Sequence, residues 1–288
     1  MQTINDLLKV LVLDKVEENQ FKGISKTVGS PNVFGGQVLA QAINAAYRTI
    51  FNGRILHSMH SYFLEAGDLE LPITYNVAII RDGGSFSTRR VTAHQKGKII
   101  FILAASFQRI EDGYSHQIDA IKNIKPPEEL ASWDDMLEQF GEFLPRKSKA
   151  FLEIPRPVMF KPVDVPNPFE PENMEPYTNV WFKLKGENNK VDLATKQQIL
   201  TYISDYNVLS VALQRHGSKA HWGNTITASL DHSMWYFRDF DFNDWLLYSL
   251  DSPSASNARG FARGNIYTRK GELIASVAQE GLMRPIKK

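Results

Sequence analysis

The sequence predicts an α+β fold in which an antiparallel sheet wraps a buried helix, and it predicts that this unit occurs twice in the chain. An alanine-rich helical segment follows the glycine pair Gly35-Gly36, and its small side chains suit a helix packed on all sides. Four segments rich in β-branched and aromatic residues come next, as is typical of strands. After residue 177 the same order of strand, helix and four strands returns, which indicates a duplicated unit.

The first half begins with an apolar pattern of helical spacing between Thr3 and Val16, which predicts a short amphipathic helix. Residues 21–27 alternate weakly, as a first strand would. Glycine-containing turns separate the later strands of this half. The four strands predicted after the buried helix are Ile55–Leu64, Pro72–Arg81, Ser85–Gln95 and Ile99–Arg109.

The middle of the chain is rich in proline. Ten prolines between residues 126 and 176 interrupt any long periodicity, although a short helix is predicted at Trp133–Phe143. We therefore expect an N-terminal domain at residues 1–110, an inter-domain connection at residues 111–176, and a C-terminal domain at residues 177–288.

The second half repeats the pattern of the first. A shift of 174 residues aligns Tyr62-Phe63 with Tyr236-Phe237, Arg89 with Arg263 and Gly97 with Gly271, whereas the helices align better at about 164. The elements predicted here are a strand at Asn179–Lys185, a helix at Leu193–Leu213, and strands at Ala228–Arg238, Trp245–Asp251, Ser256–Arg269 and Glu272–Arg284.

Composition bounds the function. With 43% hydrophobic and 23% charged residues, the chain resembles an ordinary globular protein, and its net charge of +1 gives no reason to expect a nucleic-acid partner. No cysteine is present, which excludes disulfides, thiolate metal sites and cysteine nucleophiles. The longest apolar run, Ile99–Phe107, is shorter than the roughly 20 residues of a membrane-spanning helix. We therefore expect a cytoplasmic protein that does not insert into a membrane.

The stretch from Leu200 to Trp235 contains two of the three residues that are candidates for catalysis. Asp205 lies in a helical pattern and Ser229 in a strand-like one, and Gln279 arrives from the last strand of the chain. A carboxylate that faces a hydroxyl is able to hold and polarise a water molecule. These three residues are the candidate hydrolytic site. Their alternative roles are a capping aspartate, an ordinary strand hydroxyl and a structurally bonded amide.

Four motifs resemble one known family, the acyl-CoA thioesterase II family, and they are spread over nearly the whole chain. They are Phe34–Gln37 (FGGQ), Leu56–Phe63 (LHSMHSYF), Asp231–Trp235 (DHSMW) and Ser254–Gly260 (SASNARG). The resemblance implies a double hotdog fold, with two long helices each wrapped by an antiparallel sheet. It also implies hydrolysis of acyl-CoA thioesters to free fatty acid and CoA, without a metal or an organic cofactor.

The resemblance assigns the family's catalytic aspartate, hydroxyl and glutamine to Asp205, Ser229 and Gln279. One position departs from the pattern, because the family carries threonine where this chain has Ser229. The chain contains no Gly-x-Ser-x-Gly motif and no cysteine, so direct attack by water is expected rather than a covalent route.

The internal repeat supplies a separate argument for one catalytic centre per chain. At the shift of 174 residues, Ser229 aligns with Ile55 and Gln279 with Ala105; Asp205 aligns with Pro31, or with Gln41 at the helix shift. No Asp or Glu occurs between residues 21 and 64. We therefore expect the site in the second half only.

Several further residues are candidates for substrate binding. Guanidinium groups match phosphate oxygens, so arginines are candidates for the CoA phosphates, and Gly35-Gly36 at a helix start presents N–H groups that suit an anion or allows close packing. The candidates are His57, Gly35, Gly36, Arg89, Arg90, Arg259, Arg263 and Arg284. His57 and His60 are three residues apart on a predicted strand, so they are expected on opposite faces and not as metal ligands.

Two other functions remain as alternatives. An acyl-CoA hydratase would pair an aspartate with a histidine on one hotdog helix, and the segment Leu193–Leu213 contains no histidine. A non-catalytic acyl-CoA-binding protein would tolerate loss of the polar trio.

Exposed sheet edges tend to pair, so a homo-oligomer, a dimer or a tetramer, is expected.

Overall fold

The computed structural model describes residues 1–51, 53–165, 167, 172–186, 191–220 and 224–286, and its thirteen strands form one antiparallel sheet. The first half contributes six strands and two helices. These elements are α1 (Ile4–Leu11), β1 (Asp14–Glu17), β2 (Gln20–Gly23), α2 (Gly35–Tyr47), β3 (Ile55–Phe63), β4 (Ile73–Asp82), β5 (Phe86–Gln95) and β6 (Lys98–Gln108).

The predicted connection contains a 3₁₀ turn at Pro127–Glu129 and the short helices α3 (Trp133–Phe140) and α4 (Arg146–Leu152). It also contains β7 (Val158–Pro162), a strand that sequence reasoning missed. Some of its prolines, at 166, 168 and 171, lie outside the described residues. The second half then follows with β8 (Tyr177–Leu184), α5 (Leu193–Ser204), α6 (Ser210–Gln214), β9 (Thr225–Ser229), β10 (Asp231–Tyr236), β11 (Leu246–Ser256), β12 (Arg259–Thr268) and β13 (Leu273–Pro285).

The strand order across the sheet places the two halves side by side. The order is β1-β2-β4-β5-β6-β3-β10-β13-β12-β11-β8-β7, and β9 pairs with β13. The halves meet at β3 and β10, where Met59 lies opposite Met234. The duplication predicted from the sequence is visible as this repeated order of elements about the β3–β10 pair.

The helices α2 and α5 pack against each other inside the sheet. Most of α2 is buried, which its alanine-rich sequence permits because small side chains allow close approach on every side. Polar contacts also join the helices, since Asn44 donates to Gln198 at 2.8 Å and Tyr47 donates to Gln197. One cluster of buried apolar residues extends through both halves.

Three predicted boundaries are wrong. The first helix ends at Leu11 and β1 begins at Asp14, so Thr3–Val16 is not one helix. The helix predicted at Leu193–Leu213 is interrupted after Ser204, and the strand predicted at Ala228–Arg238 is interrupted at Leu230. Both interruptions shape the candidate site.

The repeat alignment of Arg89 with Arg263 is also wrong. Arg89 points into the core and is fully buried, whereas Arg263 points outwards. Arg90 lies opposite Ala104 and Arg263 lies opposite Ala278, and these two alanines are 174 residues apart. The structural counterpart of Arg263 is therefore Arg90, because the repeat is offset by one residue in β5.

Among the described residues, no helix combines the length and the apolar character needed to cross a membrane.

Candidate active site

Asp205 lies at the C-terminal end of α5. The helix starts at the N-cap Asp192, whose side chain accepts from the N–H of Thr195, and its last residue is Ser204. Asn207 then adopts a positive φ of 66°, a conformation that asparagine tolerates better than most residues. The helix stops here, so Asp205 projects from a helix end and not from the middle of a helix as predicted.

A β-bulge turns Ser229 towards Asp205. Ser233 pairs with Ala278 and Ser229 pairs with Gly281, so three residues of one strand, 230–232, oppose two residues of β13, 279–280. One extra residue reverses the alternation of side chains along the strand. Ser229 and His232 therefore both face inwards, although they are three positions apart in the chain.

The three predicted catalytic side chains form one cluster. The amide nitrogen of Gln279 donates to the Ser229 hydroxyl at 2.9 Å, and this hydroxyl donates to Asp205 Oδ1 at 3.5 Å. Gln279 is buried, whereas Asp205 and Ser229 each retain some exposure. The cluster is thus anchored in the core and open on one side.

The first half of the chain contributes to the same cluster through the glycine pair. The backbone N–H of Gly36, at the start of α2, donates to Asp205 Oδ2 at 2.8 Å. A Cβ atom at Gly35 would lie 2.7 Å from that oxygen, and one at Gly36 would overlap the carbonyl oxygen of Tyr202. The N–H of Gly36 is therefore occupied by the protein's own Asp205 side chain, and both glycines allow close packing; a contact between this glycine pair and substrate stays a prediction.

The environment of Asp205 favours a protonation change near neutral pH. Burial raises the pKa of the Asp205 carboxyl to about 7, because a buried site disfavours the charged form. Hydrogen bonds from Gly36, Gln279 and Ser229 act in the opposite direction and stabilise the carboxylate. A carboxylate whose pKa lies near the working pH is suited to act as a general base.

His232, which was not among the candidate catalytic residues predicted from the sequence, also reaches this cluster. The ring is fully buried, with Nδ1 against the Gln279 amide oxygen and Nε2 3.0 Å from the Ser204 hydroxyl. Burial lowers the pKa of His232 to about 4, so the ring is neutral at pH 7. Strand alternation alone would put Ser229 and His232 on opposite faces, and the bulge is what brings them together.

Comparison with known proteins identifies the family of the chain. A family model described as acyl-CoA thioesterase matches residues 148–282, and a model of the acyl-CoA thioesterase N-terminal domain matches residues 25–108. Acyl-CoA thioesterase 2 of Haemophilus influenzae is 37% identical over 281 residues, which span 98% of both chains. The chain belongs to the acyl-CoA thioesterase II family. The predicted enzyme class, an acyl-CoA thioesterase, is thereby confirmed.

Two solved structures share the fold. An acyl-CoA thioesterase II from Mycobacterium marinum is 34% identical, with a TM-score of 0.78 and coverage of 96% of this chain and 97% of that one. A protein with a hotdog fold from Alicyclobacillus acidocaldarius is 16% identical, with a TM-score of 0.76 and coverage of 97% and 98%. The predicted double hotdog fold is confirmed.

The structure gives Arg89 a structural role in place of the predicted phosphate contact. Its fully buried guanidinium binds the Asp82 carboxylate at 2.9 Å and the Thr49 side chain at 2.8 Å. A CoA phosphate has no access to a group enclosed in this way. Arg259 and Arg263 are partly exposed and form ion pairs with Glu280 and Asp251, both at 2.8 Å.

His57 does not join the cluster. It is an extra residue in β3, because Leu56 pairs with Phe107 and Ser58 pairs with Ser106. Its Nε2 lies 2.8 Å from the Ser106 hydroxyl, on the outer face of the sheet and six residues before Phe63, whose ring borders Gly35. Six strand residues span roughly 20 Å, so His57 is too far along β3 to contact the cluster.

The bulge also places His57 and His60 on the same outer face, so the expectation of opposite faces is wrong. His60 contacts Ser233 at 3.1 Å and packs edge-on against the Trp235 ring. Each imidazole has its own hydroxyl partner. Within the described part of the chain, no three histidine or carboxylate groups converge as a metal site requires.

At the predicted helix shift of about 164 residues, Gln41 is the counterpart of Asp205 in the first half. Two matching contacts support this shift. Tyr75 donates to Gln41 at 2.7 Å, and Tyr248 donates at 3.0 Å to the carbonyl oxygen of Ser204, 163 residues after Gln41. The position in the first half is fully buried and holds a neutral amide.

Proposed function

We propose that the chain hydrolyses acyl-CoA thioesters to free fatty acid and CoA by direct attack of water, with Asp205 as the general base. The observation that carries the proposal is a carboxylate with a pKa of about 7 that faces a hydroxyl and an amide at the open side of the cluster. The family supplies the class of substrate, and the trio supplies the chemistry.

In the proposed reaction, a water molecule lies between Asp205 and the thioester carbonyl carbon. Its oxygen attacks that carbon while its proton moves to Asp205, and the Ser229 hydroxyl and the Gln279 amide hold the water in line. The C–S bond of the tetrahedral intermediate then breaks, and the departing thiolate of CoA takes the proton from Asp205. The products are the free acid and CoA, and the carboxylate is regenerated.

A single catalytic centre per chain is part of this proposal. The position that aligns with Asp205 at the helix shift of about 164 residues holds Gln41, whose amide is bonded to Tyr75 and Val10. A neutral amide does not accept a proton from water near pH 7. The first half therefore contributes the backbone donor at Gly36 but no base of its own.

The hydratase alternative lacks its acid. The only histidine ring in contact with the described cluster is His232, whose two nitrogens already contact Gln279 and Ser204. Its pKa of about 4 leaves it neutral, with no proton to give to an alkene substrate at pH 7. A hydrolytic role for Asp205 needs no such partner.

Thiol-release kinetics over a series of acyl-CoA chain lengths test the proposal. We expect Asp205→Asn to lower kcat by about 10²–10⁴-fold, because the base is removed and the shape is kept. Asp231→Asn is the matched control, since Asp231 accepts from the Glu280 N–H, a bond that asparagine retains. Near-normal turnover by Asp205→Asn would refute the mechanism, and binding of acyl-CoA without any turnover by the wild type would favour the binding protein.

Arg259 is our proposal for a contact to the CoA phosphates. It pairs with Glu280, the neighbour of Gln279, and both side chains are partly exposed. Exposed ion pairs contribute little, so a phosphate is able to displace the carboxylate. Arg259→Gln should raise KM for acyl-CoA but not for a thioester that lacks the nucleotide; equal effects on both substrates would argue against this contact.

We also propose that the chain forms a homo-oligomer, as expected from its sheet edges. The edge strand β1 is exposed along all four residues, which leaves backbone groups free to pair with a second copy. Light scattering coupled to size-exclusion chromatography measures the mass directly, and a monomer at micromolar concentration would contradict the proposal.

A further inference from the structure

A run of hydrogen bonds extends behind the proposed catalytic trio into the core. The Ser204 hydroxyl contacts His232 Nε2 at 3.0 Å, and His232 Nδ1 contacts the Gln279 amide oxygen. The Gln279 nitrogen contacts the Ser229 hydroxyl at 2.9 Å, which in turn contacts Asp205. Ser204, His232 and Gln279 are all buried, so each polar atom depends on these partners.

The hydrogen bonds of this run, from Ser204 to Asp205, can be oriented in only two ways if every donor is to meet an acceptor. In the first, Ser204 donates to His232 Nε2, Nδ1–H donates to Gln279, and the Gln279 amide nitrogen donates to Ser229. In the second, every proton is reversed, His232 carries its hydrogen on Nε2, and Ser204 donates instead to the Thr201 carbonyl oxygen, 2.8 Å away. The second direction turns the amide oxygen of Gln279 towards Ser229 and the carboxylate.

The ionised carboxylate decides between these directions. An ionised Asp205 accepts hydrogen bonds but donates none, so Ser229 must donate to it. Ser229 then has only its lone pairs to offer to Gln279, and the amide must present its nitrogen. The Gln279 amide also lowers the pKa of Asp205, as an N–H group directed at the carboxylate does and an oxygen does not.

We propose that His232 is a positioning residue that holds the amide of Gln279 in its reactive orientation, by donating from Nδ1 while Ser204 occupies Nε2. This role rests on the proposed function of Asp205 and extends it one step into the core. The ring exchanges no proton with substrate or water. While Asp205 is ionised, the ring carries its hydrogen on Nδ1, and that tautomer keeps the amide nitrogen of Gln279 directed at Ser229 and the water.

Two substitutions of His232 test the contributions of the two ring nitrogens separately. In His232→Asn the side-chain nitrogen lies near the former position of Nδ1 and is able to donate to Gln279. In His232→Gln the amide reaches the former position of Nε2 and leaves Gln279 without its donor. We expect His232→Asn to retain kcat within a few-fold, and His232→Gln to lower kcat by about 10–100-fold, as loss of a supporting hydrogen bond does, with KM unchanged.

The pH profile supplies a readout that a purely structural role would not move. When the Gln279 amide is free to rotate, Asp205 loses donors that stabilise its charge, so its pKa rises. The acid limb of kcat/KM should therefore shift to higher pH in His232→Gln and stay in place in His232→Asn. Equal losses in both variants, or a loss confined to His232→Asn, would overturn the proposal.

The wild-type enzyme gives a test that does not depend on how the variants fold. ¹⁵N NMR of the histidine side chains at pH 8 should show one buried, non-titrating ring with its hydrogen on Nδ1. A hydrogen on Nε2 at that pH would overturn the proposal. Asp205→Asn, measured beside these variants, distinguishes the two ideas: if it remains active the proposed function fails, whereas an inactive Asp205→Asn with an Nε2–H ring removes only the role of His232.

Discussion

Ser229 carries the one departure from the family pattern, and its contacts indicate what the hydroxyl does. The oxygen accepts from Gln279 at 2.9 Å and donates to Asp205 at 3.5 Å, so it links the amide to the carboxylate. A serine hydroxyl rotates more freely than a threonine hydroxyl, because no methyl group restricts χ1. The partners on both sides replace part of that restriction.

Substitutions at Ser229 test whether the hydroxyl or the shape of the side chain matters. Ser229→Thr keeps the hydroxyl and should retain kcat within a few-fold. Ser229→Val has the shape of threonine without the oxygen, and it should lower kcat by about 10–100-fold, because the water loses a positioning group. Steady-state thiol release compares the two variants. Equal activity of the valine and threonine variants would show that Ser229 takes no part in the reaction.

The raised pKa of Asp205 predicts an acid limit to activity. Below pH 7 the carboxyl becomes protonated and is unable to accept a proton from water, so kcat/KM should fall about tenfold per pH unit well below this value. The profile should rise through about pH 7 and then level off. Measurement between pH 5 and 9 with a mixed buffer at constant ionic strength checks this. A profile that is flat down to pH 5 would mean that another group is the base.

The same pKa shift predicts that the base destabilises the folded enzyme. Between pH 3.8 and about pH 7 the folded state holds a proton that the unfolded state has lost, so the free energy of unfolding falls as pH rises through this window. Asp205→Asn removes that fall and should be more stable than wild type above pH 7, by up to about 4 kcal/mol. The lowered pKa of His232 makes the free energy of unfolding rise with pH. This effect is the same in the wild type and in Asp205→Asn, so it cancels when the two proteins are compared. Thermal unfolding should show a much larger difference between the two proteins at pH 8 than at pH 4.5.

At the scale of elements, the sequence predicted the strands well and the interruptions poorly. The hairpins β4–β5 and β5–β6 were predicted within one or two residues, because alternation and turn residues are local signals. The bulge at residues 230–232 and the break after Ser204 depend on neighbours from distant parts of the chain. Asn207, with its positive φ, was the one local signal for that break. Sequence motifs were thus enough to name Asp205, Ser229 and Gln279 as candidates. The geometry of these three side chains and their link to His232 were not predictable.

The start of α2 is an element whose fit to the carboxylate is testable. Gly35→Ala places a Cβ about 2.7 Å from Asp205 Oδ2, which must then move away from the Gly36 N–H. We expect kcat to fall at least tenfold while the fold persists, since alanine favours a helix. Gly84→Ala is the control, because no atom lies within 4 Å of the position that its new Cβ would occupy. Unchanged activity of Gly35→Ala would show that this helix start does not position the base.

For the molecule as a whole, the duplication was predictable but the contact between its halves was not. Similar motifs and a common order of elements revealed two units, and no local pattern indicated that β3 would pair with β10 or that α2 would pack on α5. The candidate site lies at this contact, since Gly36 comes from one half and the proposed catalytic side chains from the other. Assembly of the site therefore depends on both halves being folded together.

This dependence predicts that the chain unfolds as one cooperative unit. The buried apolar cluster is continuous across the halves, and it includes Leu39 of α2, which is fully buried. Leu39→Ala should destabilise the fold by about 2–5 kcal/mol through the loss of buried area and the cavity that remains. Because the halves share one core, that loss should be felt equally in the second half.

Tryptophan fluorescence reads out the connection and the second half but not the first half, since all five tryptophans lie after residue 110. In urea titrations, Leu39→Ala should therefore lower the fluorescence midpoint although the substitution lies in the first half, and loss of thioesterase activity should follow the same curve. Ile80→Ala is the control, because Ile80 is 55% exposed and its truncation should leave the midpoint nearly unchanged. An unshifted fluorescence midpoint in Leu39→Ala, with activity lost at lower urea, would mean that the two halves unfold independently.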